Sequence, residues 1–182
     1  MPDGWQWDGT LFRGSAAHYE RGRLPYAPGL ARTLAAVLGL DGRGRLLDVG
    51  CGPGIVTLAM APYVAEVIGV DPDEDMLAQA ARQAGLRGVD NARWVAARAE
   101  ELPAGLGEFR AVVFAQSFHW TDRDETAAVV REMLVPGGAF VHVADLKEPP
   151  APAAPLPRPA PPYGTQIPAH QFADPPVRRG GP

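Results

Sequence analysis

The stretch "RLLDVGCGPG", residues 45–54, is an apolar run that passes into three glycines and a proline within five residues. The run from Arg45 to Val49 predicts a buried strand, and the helical pattern that opens at Ile55 predicts a helix directly after the turn. Glycine at every second position, Gly50, Gly52 and Gly54, fits a turn that needs positive φ, or a main chain on which something else must lie closely.

Outward from this turn the same alternation repeats. Strands are predicted at 45–49, 66–70, 92–96, 110–115 and 139–144, and helices at 55–61, 73–84 and 122–134. Upstream, Leu30, Leu34, Val37 and Leu38 mark one face of a further helix, bounded by Pro25 and Pro28 before it and by Gly39 and the glycines at 42–44 after it. Strands alternating with helices require right-handed crossovers and predict an α/β fold, a doubly wound, mostly parallel sheet with helices on both faces. Ligands of such sheets sit at the carboxyl ends of the strands.

The 182 residues suffice for one domain with a real core, and 46% hydrophobic with 21% charged residues is the composition of a globular chain. A net charge of −4 without a basic stripe argues against nucleic acid as a partner. Cys51 is the only cysteine, which excludes a disulfide framework and a thiolate metal cluster and makes a reducing, cytoplasmic setting the expectation. The opening "MPDGWQWDGT" lacks the basic and then apolar pattern of a signal peptide, and no apolar run is long enough to cross a bilayer, so no membrane role is expected. The expected organisation is a flexible leader over 1–15, a folded domain over 16–146 and a proline-dense tail over 147–182, extended or disordered because proline removes donors and blocks helix interiors and central strands.

The glycine turn departs from the dinucleotide pattern G-x-G-x-x-G: Pro53 stands inside it and Ile55 stands where the last glycine belongs. A proline removes an N–H from a loop that would cradle a pyrophosphate, so a ligand without phosphates suits the turn better. Asp71, at the carboxyl end of the second strand and 17 positions beyond Gly54, stands where such folds hold a ribose diol. A carboxylate has acceptor lone pairs for both hydroxyls. The alternative is a plain turn, with Asp71 capping the helix that starts near Asp73.

"LLDVGCGPG" followed by "VIGVDPDEDML" resembles the first two motifs of the class I S-adenosylmethionine-dependent methyltransferases. The resemblance implies a Rossmann-like sheet of strand order 3-2-1-4-5 and S-adenosylmethionine as cofactor. It places the main chain of Gly50, Cys51, Gly52 and Gly54 against the cofactor, Asp48 at its methionine end, Asp71 on its ribose and Pro72 or Met76 near its adenine. In "ARWVAARAEELP" the residues Ala99 and Glu100 match the family's adenine-side motif, with Arg98 where an acid is usual. "FRAVVFAQSFHWTDR" is similar to the trans-aconitate methyltransferase group and implies Gln116 at the methionine end, with Phe118, His119 and Trp120 walling the acceptor pocket. "HYERGRLPY" resembles that group's leader and implies Tyr19 and Arg23 near the methionine carboxylate. His119 is the one candidate for a general base; the alternative is a histidine packed into the wall.

The expected function is methyl transfer to a small-molecule acceptor. No nucleophilic residue is needed for it, and a base only if the attacking atom carries a proton. "VVREMLVPGGAFVHV" resembles the family's helix, its turn at 136–138 and its fifth strand, after which the usual helix and antiparallel hairpin are replaced by proline-rich sequence. This predicts a fifth strand left as an edge and gives a second reading, a shortened relative that binds cofactor with little turnover. A third, a nicotinamide-dependent oxidoreductase, is disfavoured by the glycine spacing. Cys51 reads as a small buried filler.

Overall fold

A computed structural model describes residues 26–144. The readings that fall on 1–25, Tyr19 and Arg23 among them, and on 145–182 lie outside the described residues.

The chain runs through α1 (Leu30–Val37), β1 (Arg45–Val49), α2 (Ile55–Met60), β2 (Glu66–Asp71), α3 (Glu74–Arg87), β3 (Ala92–Ala96), β4 (Phe109–Ala115), α4 (Arg123–Glu132) and β5 (Leu134–Val143). The strands form one sheet of order β3-β2-β1-β4-β5, every neighbouring pair parallel. The order reverses between β1 and β4, and the crevice at their carboxyl ends is the topological switch point where open α/β sheets bind ligands.

Period-two alternation divides the core into two layers. Leu46, Val67, Ala111 and Val113 pack with Leu30 and Leu34 of α1 and Val56 and Met60 of α2. Leu47, Ile68, Val112 and Phe114 pack on the other face with Val130 of α4 and Met133. These strands are apolar on both faces because helices cover both.

Two sequence expectations change. Val37 is 54% exposed while Ala35 is 5% exposed, so the apolar face of α1 is Leu30, Leu34 and Ala35. The helix ends at Val37, and the amide of Leu40 turns back to the Ala35 carbonyl, 2.9 Å away, leaving Val37 on the outer side. The turn at 136–138 does not precede the fifth strand but interrupts it. Leu134 pairs with Phe109 and Ala139 with Ala111, so residues 135–138 bulge opposite Arg110. A Cβ on Gly138 would stand 2.9 Å from the Val135 carbonyl oxygen and 3.1 Å from that of Phe109, which restricts the bulge to glycine there.

Arg110 has its own structural use: its guanidinium donates to Asp41 at 2.9 Å and to the Gly39 carbonyl, tying the α1–β1 connection to the start of β4. Among the described residues, no helix is long and apolar enough to cross a membrane.

Candidate functional site

β1 ends at Val49, and Gly50, at φ +68°, begins the turn. A Cβ on Gly50 would lie 2.5 Å from Cβ of Ser117, the residue two places beyond β4, so the two strand ends approach to main-chain distance here. The turn is pinned to β2. The amides of Gly50 and Cys51 both donate to the Val70 carbonyl, at 2.8 and 3.0 Å, and the Gly52 amide donates to Asp71 Oδ2 at 2.8 Å. The Asp71 Oδ1 atom accepts from the Asp73 amide at 2.9 Å. Asp71 is therefore not the cap of α3. That role belongs to Asp73, whose Oδ1 accepts from the amides of Asp75 and Met76 at 2.9 and 3.2 Å. Burial pushes the Asp71 carboxyl above its ordinary range, opposed by the two amides it accepts.

A cleft opens over this unit. Gly50 and Gly52 form its floor, and Asp71, Pro72 and Met76 form the β2 side. Arg98, Ala99 and Glu100 close it beyond β3, and Gln116, Ser117, Trp120 and Thr121 form the wall beyond β4. Among the described residues the ionic lining is three carboxylates, Asp71, Asp73 and Glu100, against one guanidinium, Arg98. That guanidinium is paired with Glu100 at 3.3 Å. Such a balance opposes a polyphosphate and accommodates a neutral nucleoside or a cation.

Not every residue singled out in the sequence reaches the cleft. Gly54 turns from it: a Cβ there would meet Trp94 at 2.7 Å and Ala80 at 2.9 Å, so this glycine serves packing between α3 and β3. Phe118 is also outside the lining. Its ring lies 5.2 Å from Phe114, 5.0 Å from Phe140 and 5.4 Å from His142, in an aromatic cluster over the sheet. His119 packs on Trp120 at 4.8 Å between ring centres, and only Trp120 of that pair lines the cleft. Asp48 lies beneath the turn and takes the hydroxyl of Thr57 at 2.6 Å, joining β1 to α2. Asp48 and Cys51 line a smaller neighbouring recess with Gly50 and Pro53.

Sequence reasoning passed over Ser117 and Thr121. The Ser117 hydroxyl donates to the Val49 carbonyl and bolts the end of β4 to the end of β1. Its signal was positional: a small residue just past β4, as Gly50 is just past β1. Among the described residues, no cluster of three or more histidine, cysteine or acidic side chains could hold a metal.

A parallel sheet with a glycine turn, an acid on the adjacent strand and a cleft at the switch point is the architecture of a ligand-binding α/β domain. A family model described as a methyltransferase domain matches residues 46–138, and the chain belongs to that family. It is 32% identical over 127 residues to the "Probable S-adenosylmethionine-dependent methyltransferase CRG1" of Saccharomyces cerevisiae, covering 69% of this chain and 43% of that protein. It is 35% identical over 100 residues to the uncharacterized methyltransferase YcgJ of Bacillus subtilis, covering 54% of this chain and 40% of the relative. The crystal structure of YcgJ superposes with a TM-score of 0.56 at 30% identity over 61% of this chain and 48% of that one. An uncharacterized RNA methyltransferase of Thermosynechococcus vestitus, tlr0942, is 36% identical over 93 residues, 51% of this chain and 21% of its own length. The chain thus spans less than half the length of these curated relatives.

Proposed function

We propose that the cleft binds S-adenosylmethionine and that the domain transfers its methyl group to a small-molecule acceptor. The observation that carries this reading is the bare main chain of Gly50 and Gly52 beneath the cleft, fixed to the acid of the next strand and without a cation on the turn. Bare glycine backbone allows a ligand to lie in van der Waals contact with the chain. A ligand with a nucleoside, a cationic centre and no phosphate fits the charge of the lining. The names of the relatives support the same cofactor.

In this reading Asp71 takes the ribose hydroxyls on the lone pairs its two amides leave open. Pro72, Met76 and Ala99 offer the adenine an apolar shelf, with Glu100 as an acceptor at its rim. Asp48 stabilises the turn from below, and Tyr19 and Arg23 are proposed for the methionine end. When bound, S-adenosylmethionine supplies an electrophilic methyl group on a sulfonium. The residues of the chain bind, align and exclude water; Trp120 shields the β4 side. No proton transfer is assigned to His119, which packs on Trp120 and does not line the cleft.

The small-molecule acceptor, like the finer likeness to the trans-aconitate methyltransferase group, is part of this proposal and rests on the net charge of −4. An RNA acceptor is the second reading, favoured by the name of the Thermosynechococcus relative. Calorimetric titration with S-adenosylmethionine and with NAD tests the cofactor: binding of the first and not the second is expected, and the reverse would return the oxidoreductase. Transfer of a labelled methyl group to a small-molecule library, set against total RNA, then separates the two acceptors and measures whether the chain turns over.

A further inference from the structure

The β4 wall of the cleft carries a residue held in a conformation that side chains other than glycine rarely adopt. Gln116 has φ +60°, one of two non-glycine residues with positive φ among those described. Its amide donates to the Val143 carbonyl at 2.8 Å, and the next residue is bolted to Val49, so the conformation is fixed from both sides. Residues in this left-handed region persist where the surroundings impose them, and they gather at ligand sites.

The side chain adds a second, independent observation. Gln116 Nε2 is buried and makes no hydrogen bond among the described residues. An amide donor buried without an acceptor is costly, and folded proteins rarely leave one so. The hydroxyls beside it cannot serve the same purpose. Ser117 Oγ already donates to Val49, and Thr121 Oγ1 donates to the Phe118 carbonyl at 3.0 Å. At the far end of the cleft, Arg98 is engaged by Glu100. The β4 wall therefore holds a buried, unmatched donor on a residue that lines, with Trp120, a cleft otherwise rich in acceptors.

We propose that the Gln116 carboxamide anchors a carboxylate or carbonyl oxygen of the molecule in the inner end of the cleft, and so selects methyl acceptors that carry such an oxygen. The inference deepens the methyl-transfer reading and rests on it for the word acceptor. The same oxygen chemistry could come from the amino-acid end of S-adenosylmethionine, and the experiment separates the two sources.

The full chain and its Gln116→Met and Gln116→Glu variants are titrated calorimetrically with sodium benzoate, benzyl alcohol and benzylamine, alone and saturated with S-adenosylhomocysteine. Methionine keeps the length of glutamine and removes the donor, while glutamate opposes an anion. Benzoate is expected to bind the parent protein best, and at least tenfold more weakly to both variants, as befits a lost hydrogen bond to a charged group. The melting temperature of Gln116→Met should be no lower than that of the parent, since the buried unmatched amide is gone; a purely structural glutamine would show the opposite. If instead the variants lose S-adenosylhomocysteine affinity tenfold while 5′-methylthioadenosine, which lacks the carboxylate, binds as before, the anchored oxygen is the cofactor's and the acceptor selection is overturned. Preference for benzylamine, or unchanged affinities throughout, would overturn the anchor itself. Failure of the parent to bind S-adenosylhomocysteine would sink the methyl-transfer reading, whereas the benzoate arm on the ligand-free protein still reads Gln116.

Discussion

Gly52 donates its main-chain N–H to the Asp71 carboxylate at 2.8 Å, so the glycine turn after β1 and the acid at the end of β2 behave as one unit. The second oxygen of Asp71 holds the amide of Asp73, which in turn caps α3. The residue proposed to grip a sugar also sets the shape of the cleft floor.

Replacing this acid should therefore harm folding and binding together. In Asp71→Ala two amides lose a charged acceptor, a bond type of about 1.5–3 kcal/mol each, so the midpoint of urea unfolding should fall clearly. The dissociation constant for S-adenosylhomocysteine should rise at least tenfold. Asp71→Asn should recover little, because its NH₂ must face one of two backbone donors. An asparagine variant with parental affinity would separate the two roles.

The same carboxyl predicts a pH dependence. Burial, the larger effect, raises its pKa in the folded state, and the amides of Asp73 and Gly52 hold it down. Between the ordinary aspartate pKa and this raised value the native state holds more protons than the unfolded one. Stability therefore falls by the cost of ionising the buried carboxyl as pH rises through that window, while its hydrogen bonds to the two amides remain. Affinity for a diol has the opposite sign, since only the carboxylate accepts both hydroxyls. S-adenosylhomocysteine binding should strengthen as pH rises past the raised pKa and then level off, with the step absent in Asp71→Asn.

The parts of the site that were legible in the sequence are local. The alternation of strand and helix, the glycines at 50 and 52 and the acid at 71 each follow from spacing within a few residues of a strand end. What was not legible depends on distant partners. Phe118 reads like a pocket wall, yet Phe140 and His142, from β5, draw it into an aromatic cluster. Gly54 reads like its two neighbours in the turn, yet Trp94, in β3, occupies the space its side chain would need. The bulge in β5 arises because 135–138 oppose the single residue Arg110, a register no hydrophobic pattern encodes.

Trp94 also accounts for a glycine the sequence offered no reason to notice. A Cβ on Gly69, in the middle of β2, would lie 2.7 Å from the Trp94 ring and 2.8 Å from Cys51 Sγ. Gly69→Ala should cost about 1–3 kcal/mol by overpacking. If the indole is the obstacle, the penalty should shrink by at least half in a Trp94→Leu background. A double-mutant cycle by denaturant unfolding measures that coupling; strictly additive effects would mean that the strand adapts by other routes.

Cys51 lies at the centre of these contacts, 8% exposed, between the two glycines of the cleft floor. Burial chiefly, and then the negative charges of Asp48 and Asp71, push its thiol well above the ordinary range. A thiol kept protonated is a poor nucleophile. As the chain has a single cysteine, a thiol reagent such as DTNB reports on this site alone. Reaction in the native protein should be slower than in denaturant by about tenfold or more. The raised pKa also has a thermodynamic consequence. Above the ordinary thiol pKa the unfolded state gives up a proton that the native state retains, so stability must fall with pH from there up to the folded value. From about pH 8 to 10 the parent should therefore lose more stability than Cys51→Ala, in which this ionisation is absent. Parallel curves for the two proteins would show that water reaches the sulfur through the turn.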